Sequence, residues 1–166
     1  MVAILLGAGC VTKEFSYSTK IAGGEQLKFT ISGGRVAPAK AEGITIMEAG
    51  LRPDPAGKQV IYGFQFHDTA NHSLQNVKIE DVSEDTALLV HEDTEPKLVQ
   101  QRWSVVTKPF EKDDPVLRWV FYLNDSVRVY RFTITTTDGK KIVLHQAAMV
   151  PAWVKAAVRN LFGEKY

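Results

Sequence analysis

Hydrophobic and polar residues alternate along most of the chain from residue 25 onwards. In the segment 27–32, Leu27, Phe29 and Ile31 alternate with polar residues. The same period recurs further along, with apolar faces formed by Val60, Tyr62, Phe64 and Phe66, by Val77 and Ile79, and by Tyr130, Phe132 and Ile134. A period of two is typical of a β-strand that buries one face and exposes the other. We therefore predict that these segments are half-buried strands.

Further strands are predicted between regions rich in turn-forming residues. The additional strands cover residues 44–47, 87–90, 98–106 and 116–123, and the turn regions cover residues 51–57, 68–73 and 108–115. Segment 116–123 is apolar on both faces apart from Arg118, as expected of a central strand. About eight or nine short strands, with no alternating helices, predict an all-β domain built as an antiparallel β-sandwich.

The last two strands are predicted to form a hairpin whose turn contains Gly139. A three-residue loop places Ile134 opposite Ile142 and gathers the apolar residues on one face. A two-residue loop would shift the register by one residue and place these apolar residues on opposite faces. The preferred register leaves His145 on the outward face beside Thr133. The order of Trp119, Tyr130 and this hairpin resembles that of immunoglobulin-like and fibronectin-type sandwiches, which implies the same fold type.

The C-terminal segment changes to a helical period. Its apolar residues recur at intervals of three and four, at Trp153, Val154, Ala157, Val158, Leu161 and Phe162. Pro151 suits the first turn of a helix, and Gly163 suits its end. We predict one amphipathic helix over residues 151–162 that covers an open edge or end of the sandwich. Docking of this helix on a partner or a membrane is the alternative.

Length and charge set bounds on the class of protein. The 166 residues suit one globular domain, predicted to span residues 25–166, with a preceding tail. Lysine and arginine number 20 and aspartate and glutamate number 19, which gives a net charge of +1. This balance argues against a nucleic-acid partner, because such binding requires a basic surface. The single cysteine, Cys10, excludes an internal disulfide and a metal site built from several thiolates.

The first ten residues are apolar and small, and they end at Cys10. The sequence Leu6-Gly7-Ala8-Gly9-Cys10 resembles the signal region of bacterial lipoproteins, in which small residues precede a lipid-accepting cysteine. The resemblance implies cleavage before Cys10 and acylation of its thiol, so that lipid chains hold the domain on a membrane. Residues 1–10 are thus predicted to be a signal and lipid-anchor segment, truncated at its start. The alternative is a first β-strand with a buried cysteine.

Residues 11–24 are predicted to be a tether between this anchor and the domain. They show no sustained period and end in Gly23 and Gly24. The alternative for residues 15–18 is a short edge strand. In lipoproteins an aspartate after the cysteine retains the protein at the inner membrane, and here Val11 occupies that place. The resemblance therefore implies an outer-membrane location that faces the periplasm.

Residues with the potential for chemistry are few. His67, Asp68 and His72 could supply two nitrogens and an oxygen to a divalent metal, but ordinary loop residues are the preferred interpretation. We therefore predict no metal, no cofactor and no catalytic residue. Trp103 is expected in the core. A group of acidic residues is interpreted as solvated turns: Glu80, Asp81, Glu84, Asp85, Glu92, Asp93 and Glu95.

No catalytic signature selects an enzyme class, since no nucleophile elbow, dinucleotide-binding loop or phosphate-binding loop occurs in the sequence. The expected function is a non-enzymatic, envelope-anchored module that binds or scaffolds a protein or glycan partner. One alternative is an envelope hydrolase of glycans or peptides, with carboxylates and a histidine assembled in space. A second alternative is a metal-binding module that uses His67, Asp68 and His72.

Overall fold

The computed structural model describes residues 14–32, 35–53, 60–107 and 127–149. The strands in these ranges are β1 (Glu14–Lys20), β2 (Gln26–Ser32), β3 (Arg35–Val36), β4 (Lys40–Ala41), β5 (Ile44–Pro53), β6 (Val60–Asp68), β7 (Leu74–Asp81), β8 (Leu88–Asp93), β9 (Arg102–Val106), β10 (Val127–Thr136) and β11 (Lys141–Met149). All pair antiparallel, which confirms the predicted all-β class. Cys10, the predicted strand 116–123 and the predicted helix 151–162 lie outside the described residues.

Two four-stranded sheets form the centre of the fold. The front sheet has the order β4-β5-β6-β9, and the back sheet has the order β11-β10-β7-β8. Their inward side chains form one core, made of Ile44, Ile46, Leu51, Tyr62, Phe64, Phe66, Trp103, Val77, Ile79, Tyr130, Phe132, Ile134, Ile142 and Leu144. Because this single core draws residues from both sheets, the sheets pack face to face in a sandwich-like arrangement.

Aromatic rings join the two sheets at the middle of this core. The ring of Phe64 in the front sheet lies 5.3 Å from that of Tyr130 and 5.8 Å from that of Phe132 in the back sheet, both edge-on. Tyr62 meets Tyr130 edge-on at 5.8 Å. Edge-on pairs add about 0.5–1.5 kcal/mol to the stabilisation from apolar burial. The alternating aromatic positions of the sequence therefore form the main contact between the sheets.

A third sheet, the cover sheet, has the order β1-β2-β3 and packs on the outer face of the back sheet. Its contact is a second apolar cluster, built from Ile21, Val82, Val129 and Ala147 with Leu27, Phe29 and Val36 against it. The amide of Ala22 also donates to the carbonyl of Val82 at 3.0 Å. Part of the segment 11–24, expected to be a tether, is thus folded, and the alternative of an edge strand describes it better.

The β10–β11 hairpin has the predicted register. Ile134 pairs with Ile142, and the amide of Thr136 donates to the carbonyl of Lys140 across the three-residue loop. Gly139 has a φ of 85°, a left-handed conformation that glycine adopts without steric cost. His145 lies on the outward face as expected, with Arg131 rather than Thr133 directly opposite.

Strand β5 is longer than predicted, because residues 51–53 extend it and do not begin a turn. It pairs with β6 from Ile44 to Pro53, with one interruption. Ile46 pairs with Phe66 and Glu48 pairs with Gln65, so Met47 is an extra residue, a β-bulge. The ranges that the structure describes contain no helix capable of crossing a membrane.

Candidate functional site

The predicted metal trio forms a tight turn after β6. Asp68 is fully buried, and its carboxylate accepts hydrogen bonds from the amides of Ala70, Asn71 and His72 at 2.7–3.1 Å. The Nδ1 atom of His72 lies 2.9 Å from Oδ1 of the same carboxylate. Asp68 thereby satisfies a run of amides that the end of the strand leaves unpaired.

His67 does not join this turn network. It is partly exposed and lies between Thr45 and Arg102 in the register of the front sheet, on the face opposite to that of the buried Phe66. Within the described residues, no group of three or more histidine, cysteine or acidic side chains is arranged to hold a metal ion. The structure thus gives Asp68 and His72 a role in closing the turn.

A buried ion pair corrects the interpretation of the acidic segment as solvated turns. Asp81 is only 2% exposed and Arg128 only 3% exposed. Nε and Nη2 of Arg128 donate to Oδ2 of Asp81 at 2.8 and 2.7 Å, while Nη1 lies 3.2 Å from Glu84. The other oxygen of Asp81 accepts from the amide and hydroxyl of Ser83. Asp81 is therefore a fully bonded interior group.

Two tyrosines, Tyr62 and Tyr130, lie near this ion pair. Asp81 pairs with Tyr130 across the back sheet, and burial raises the pKa of Tyr130 well above its ordinary value. Burial opposes the charge on Arg128, but Asp81 outweighs that effect and raises the pKa of the guanidinium. A cavity of about 80 Å³ lies beside the pair, between Glu84 and Leu88. Since every charge in this network has a partner, its role is structural.

Among the described residues, a second cavity is a groove of about 290 Å³ on the open side between the front and back sheets. One wall is formed by Arg35 and Val36 of β3 together with Pro38. The second wall is the bulged part of β5, residues 46–49, and the third is the end of β11, residues 146–149. Met47 and Met149 at its rim are 57% and 42% exposed. Flexible methionine side chains are suited to contacts with partners of variable shape.

Gln146 holds one wall of this groove in place. Its Oε1 atom accepts from the amide of Ala39 at 2.7 Å, and its Nε2 atom donates to the carbonyl of Ala37 at 3.3 Å. The amide of Ile46 donates to the carbonyl of Ala39, which ties the same segment to β5. The side chain of Gln146 is buried, so these bonds are shielded from water. The segment 37–39 is thus fixed between the two sheets.

Two strand edges border the groove. Within the described chain, β11 is the last strand of the back sheet, and β5 has the short β4 beside only its first residues. Thr136 and Lys140 form a hydrogen-bonded pair, so the odd-numbered residues of β11 direct their main-chain groups away from β10. The main-chain groups of Ala147 and Met149 therefore point away from β10. Ala147 is buried and its carbonyl accepts a hydrogen bond from Nε2 of Gln146 at 2.8 Å, whereas Met149 is exposed on the open side.

The charged residues of the groove lie on opposite walls. Arg35 is on β3, whereas Glu48 is on β5 and pairs with Arg52 at 3.2 Å. This ion pair lies flat across Gly63, where a β-carbon would stand 2.5 Å from Oε1 of Glu48 and 2.7 Å from Nε of Arg52. Gly63 thus allows the carboxylate to approach the sheet. The lining of the groove thus combines apolar side chains with one charge of each sign.

The histidines line neither cavity, and Trp103 is a core residue as expected. Its ring stacks on Phe66 at 5.2 Å, and its Nε1 atom donates to Asp93 at 2.9 Å. No pattern in the sequence identifies the groove residues. Alternation does place Met47 outward from Ile46, but the bulge and the segment that Gln146 holds depend on contacts distant in sequence.

Comparison with models of protein families, with curated proteins and with solved structures finds no match to this chain.

Proposed function

We propose that this protein is a non-enzymatic binding module of the bacterial cell envelope that holds an extended segment of a partner protein in the groove. The observation that carries the proposal is the groove itself, a partly apolar cavity bordered by two strand edges and two exposed methionines. Strand edges recognise extended chains through main-chain hydrogen bonds, while adjacent pockets select side chains.

The size and charge of the groove favour a polypeptide. Its volume of about 290 Å³ lies at the lower end of the range for small-molecule sites, and it suits one or two apolar side chains of a longer ligand. Arg35 and Glu48 place opposite charges at the rim, which suits a segment flanked by residues of either sign. A glycan would make little use of the apolar walls, and a polyanion would meet the carboxylate.

We also propose that the sandwich is of immunoglobulin-like, fibronectin type. The support is the strand order, in which β11-β10-β7-β8 faces β5-β6-β9. This corresponds to the order G-F-C-C′ of one sheet facing A-B-E of the other in such domains. The cover sheet precedes the sandwich in sequence. The loops and edges of these domains are common sites of protein recognition.

Replacing Met47 with lysine is expected to weaken peptide binding about tenfold or more, because the ligand loses an apolar contact worth about 1.5–3 kcal/mol. The probes are peptides selected on the wild-type protein from a displayed library of random short sequences. Fluorescence anisotropy with labelled synthetic copies gives the dissociation constants. Met47 is exposed, so the substitution leaves the fold intact.

The matched control is Leu89→Lys, since Leu89 is equally exposed but lies on β8, outside the groove. This variant is expected to bind the selected peptides as tightly as the wild type. Equal loss of affinity in both variants, or unchanged affinity in the Met47 variant, would contradict the groove as the binding site.

We propose that Cys10 carries the lipid that anchors the module, with Val11 directing it to the outer membrane. Lipid chains stabilise membrane attachment by about 0.8 kcal/mol for each buried methylene. With Cys10→Ala, the protein is expected to move from the membrane fraction to the soluble fraction of the producing cells. Membrane association that persists in this variant, with no added lipid mass on the wild-type N-terminus, would refute the anchor.

A further inference from the structure

Every methionine of the chain after the first residue lies at the rim of the groove. The sequence contains three methionines, Met1, Met47 and Met149. Met47 on β5 and Met149 on β11 are far apart in sequence, yet both line the same cavity. The buried core of the described residues contains no methionine. The fold therefore brings these two thioethers together at one site.

Both thioethers are open to reagents in solution, since about half of each side chain is exposed. Met47 is the extra residue of the bulge and has no partner in the pairing of β5 with β6. Met149 is the last residue of β11 and pairs with Val127 at the end of the back sheet. Neither methionine belongs to the core or to the apolar cluster under the cover sheet. A chemical change at these two sulfur atoms therefore leaves the packing between the sheets in place.

The chemistry that acts on an exposed thioether is oxidation. The sulfur lone pair attacks one oxygen of hydrogen peroxide, so that an S–O bond forms and the O–O bond breaks. The proton on the transferred oxygen passes to the departing hydroxide, and the products are a sulfoxide and water. The sulfur loses two electrons and the peroxide gains them. Methionine sulfoxide is polar, and sulfoxide reductases return it to the thioether.

We propose that Met47 and Met149 are a pair of oxidation sites, and that their conversion to sulfoxides releases the ligand from the groove while the fold stays intact. A polar, hydrated sulfoxide at the rim is a poorer contact for an apolar side chain than a thioether is. Arg35 and Glu48 in the lining are not altered, so the change is confined to apolar contacts. The release of the ligand rests on the proposed function, whereas the two oxidation sites do not.

Peroxide treatment of the full-length Cys10→Ala variant tests the two oxidation sites. This variant has no thiol, so its sulfur atoms are all in methionine. We expect peptide mass mapping to show one added oxygen at Met47 and at Met149, at rates within about threefold of that of methionine in a short unstructured peptide. The Tm should fall by no more than about 2 °C. Protection of either methionine from peroxide, or a larger loss of stability, would overturn the inference.

Peptide affinity tests the effect of oxidation on the groove. The probes are selected peptides that contain no methionine, cysteine or tryptophan, and they are added after the peroxide has been removed. Oxidation of both methionines is expected to weaken binding about tenfold or more, because the apolar contact at the rim is lost. Treatment with sulfoxide reductases for both sulfoxide epimers should restore the affinity. Complete oxidation at both residues with unchanged affinity would count against the inference.

The matched control combines Met47→Leu with Met149→Leu in the same Cys10→Ala background. Leucine has a similar volume and no sulfur, so this variant should bind the peptides before peroxide treatment and keep its affinity afterwards. An equal loss of affinity in the treated control would place the effect at other residues and refute the inference. If the library yields no specific peptide, the proposed function fails, and the release of a ligand fails with it. The mass and stability measurements then still decide whether Met47 and Met149 are oxidation sites.

Discussion

Replacing Arg128 with methionine is expected to lower the free energy of unfolding by about 3–5 kcal/mol, because Asp81 would then be buried without a counter-charge. The two side chains are joined by two hydrogen bonds, and both are almost completely shielded from water. Methionine has a similar length, so the loss reports the missing charge more than a missing volume. Urea denaturation near pH 7, followed by circular dichroism, measures the change.

Two further variants test whether the unpaired charge of Asp81 causes the loss of stability. The double variant Arg128→Met with Asp81→Asn is expected to recover a large part of the stability, because it leaves no unpaired charge in the interior. Arg131→Met breaks a partly exposed pair with Glu80 and should cost about 1 kcal/mol or less. A loss from Arg131→Met as large as that from Arg128→Met would contradict the special role of burial.

Phe64→Ala is expected to destabilise the protein by about 3–5 kcal/mol, because it removes a fully buried ring and leaves a cavity between the sheets. Phe64 contacts Tyr130 and Phe132 across the sandwich and Tyr62 on its own strand. Thermal and urea unfolding give the change in stability. The control Val143→Ala, on the exposed face of β11, should change stability by no more than about 0.5 kcal/mol.

Coupling between the sheets gives a sharper test of this packing. If Phe64 and Phe132 touch, their alanine substitutions should be non-additive by about 0.5 kcal/mol or more in a double-mutant cycle. Strict additivity of the two effects would mean that the rings do not meet, and the face-to-face packing of the front and back sheets would then be wrong.

The register of the β10–β11 hairpin could be predicted because two independent constraints agree. The period of two assigns Ile134 and Ile142 to one face, and only a three-residue loop brings them opposite each other. Gly139 then falls at the position that needs a left-handed conformation. Both constraints involve residues that are close together in sequence, so the local pattern is enough to predict the register.

The buried ion pair could not be predicted in the same way. Alternation places Arg128 on the inward face with Tyr130, but it does not show which carboxylate meets it. Asp81 lies 47 residues away in sequence and reaches Arg128 only because β7 and β10 are neighbours. Acidic residues near turns are usually solvated, and the sequence pattern around Asp81 therefore favours a solvated turn over a buried ion pair.

The packing of the cover sheet and the shape of the groove could not be predicted, for related reasons. The alternation within residues 14–20 involves serine and threonine, so its apolar face is weak in the sequence. The groove depends on a bulge at Met47 and on the bonds from Gln146 to a segment more than 100 residues away. Features of this kind arise from tertiary contacts, which local patterns do not encode.

The bulge at Met47 also bears on the solubility of the protein. A long, regular strand edge is a template on which identical chains stack into fibrils. On β5 the bulge breaks the hydrogen-bond spacing, and the ion pair of Glu48 and Arg52 places charges directly after the break. A second copy of the chain that paired along this edge would lose its hydrogen-bond register at the bulge. A short segment would end before the bulge disrupts its pairing. The bulge therefore limits stacking of identical chains without blocking the short contact that the proposed ligand needs.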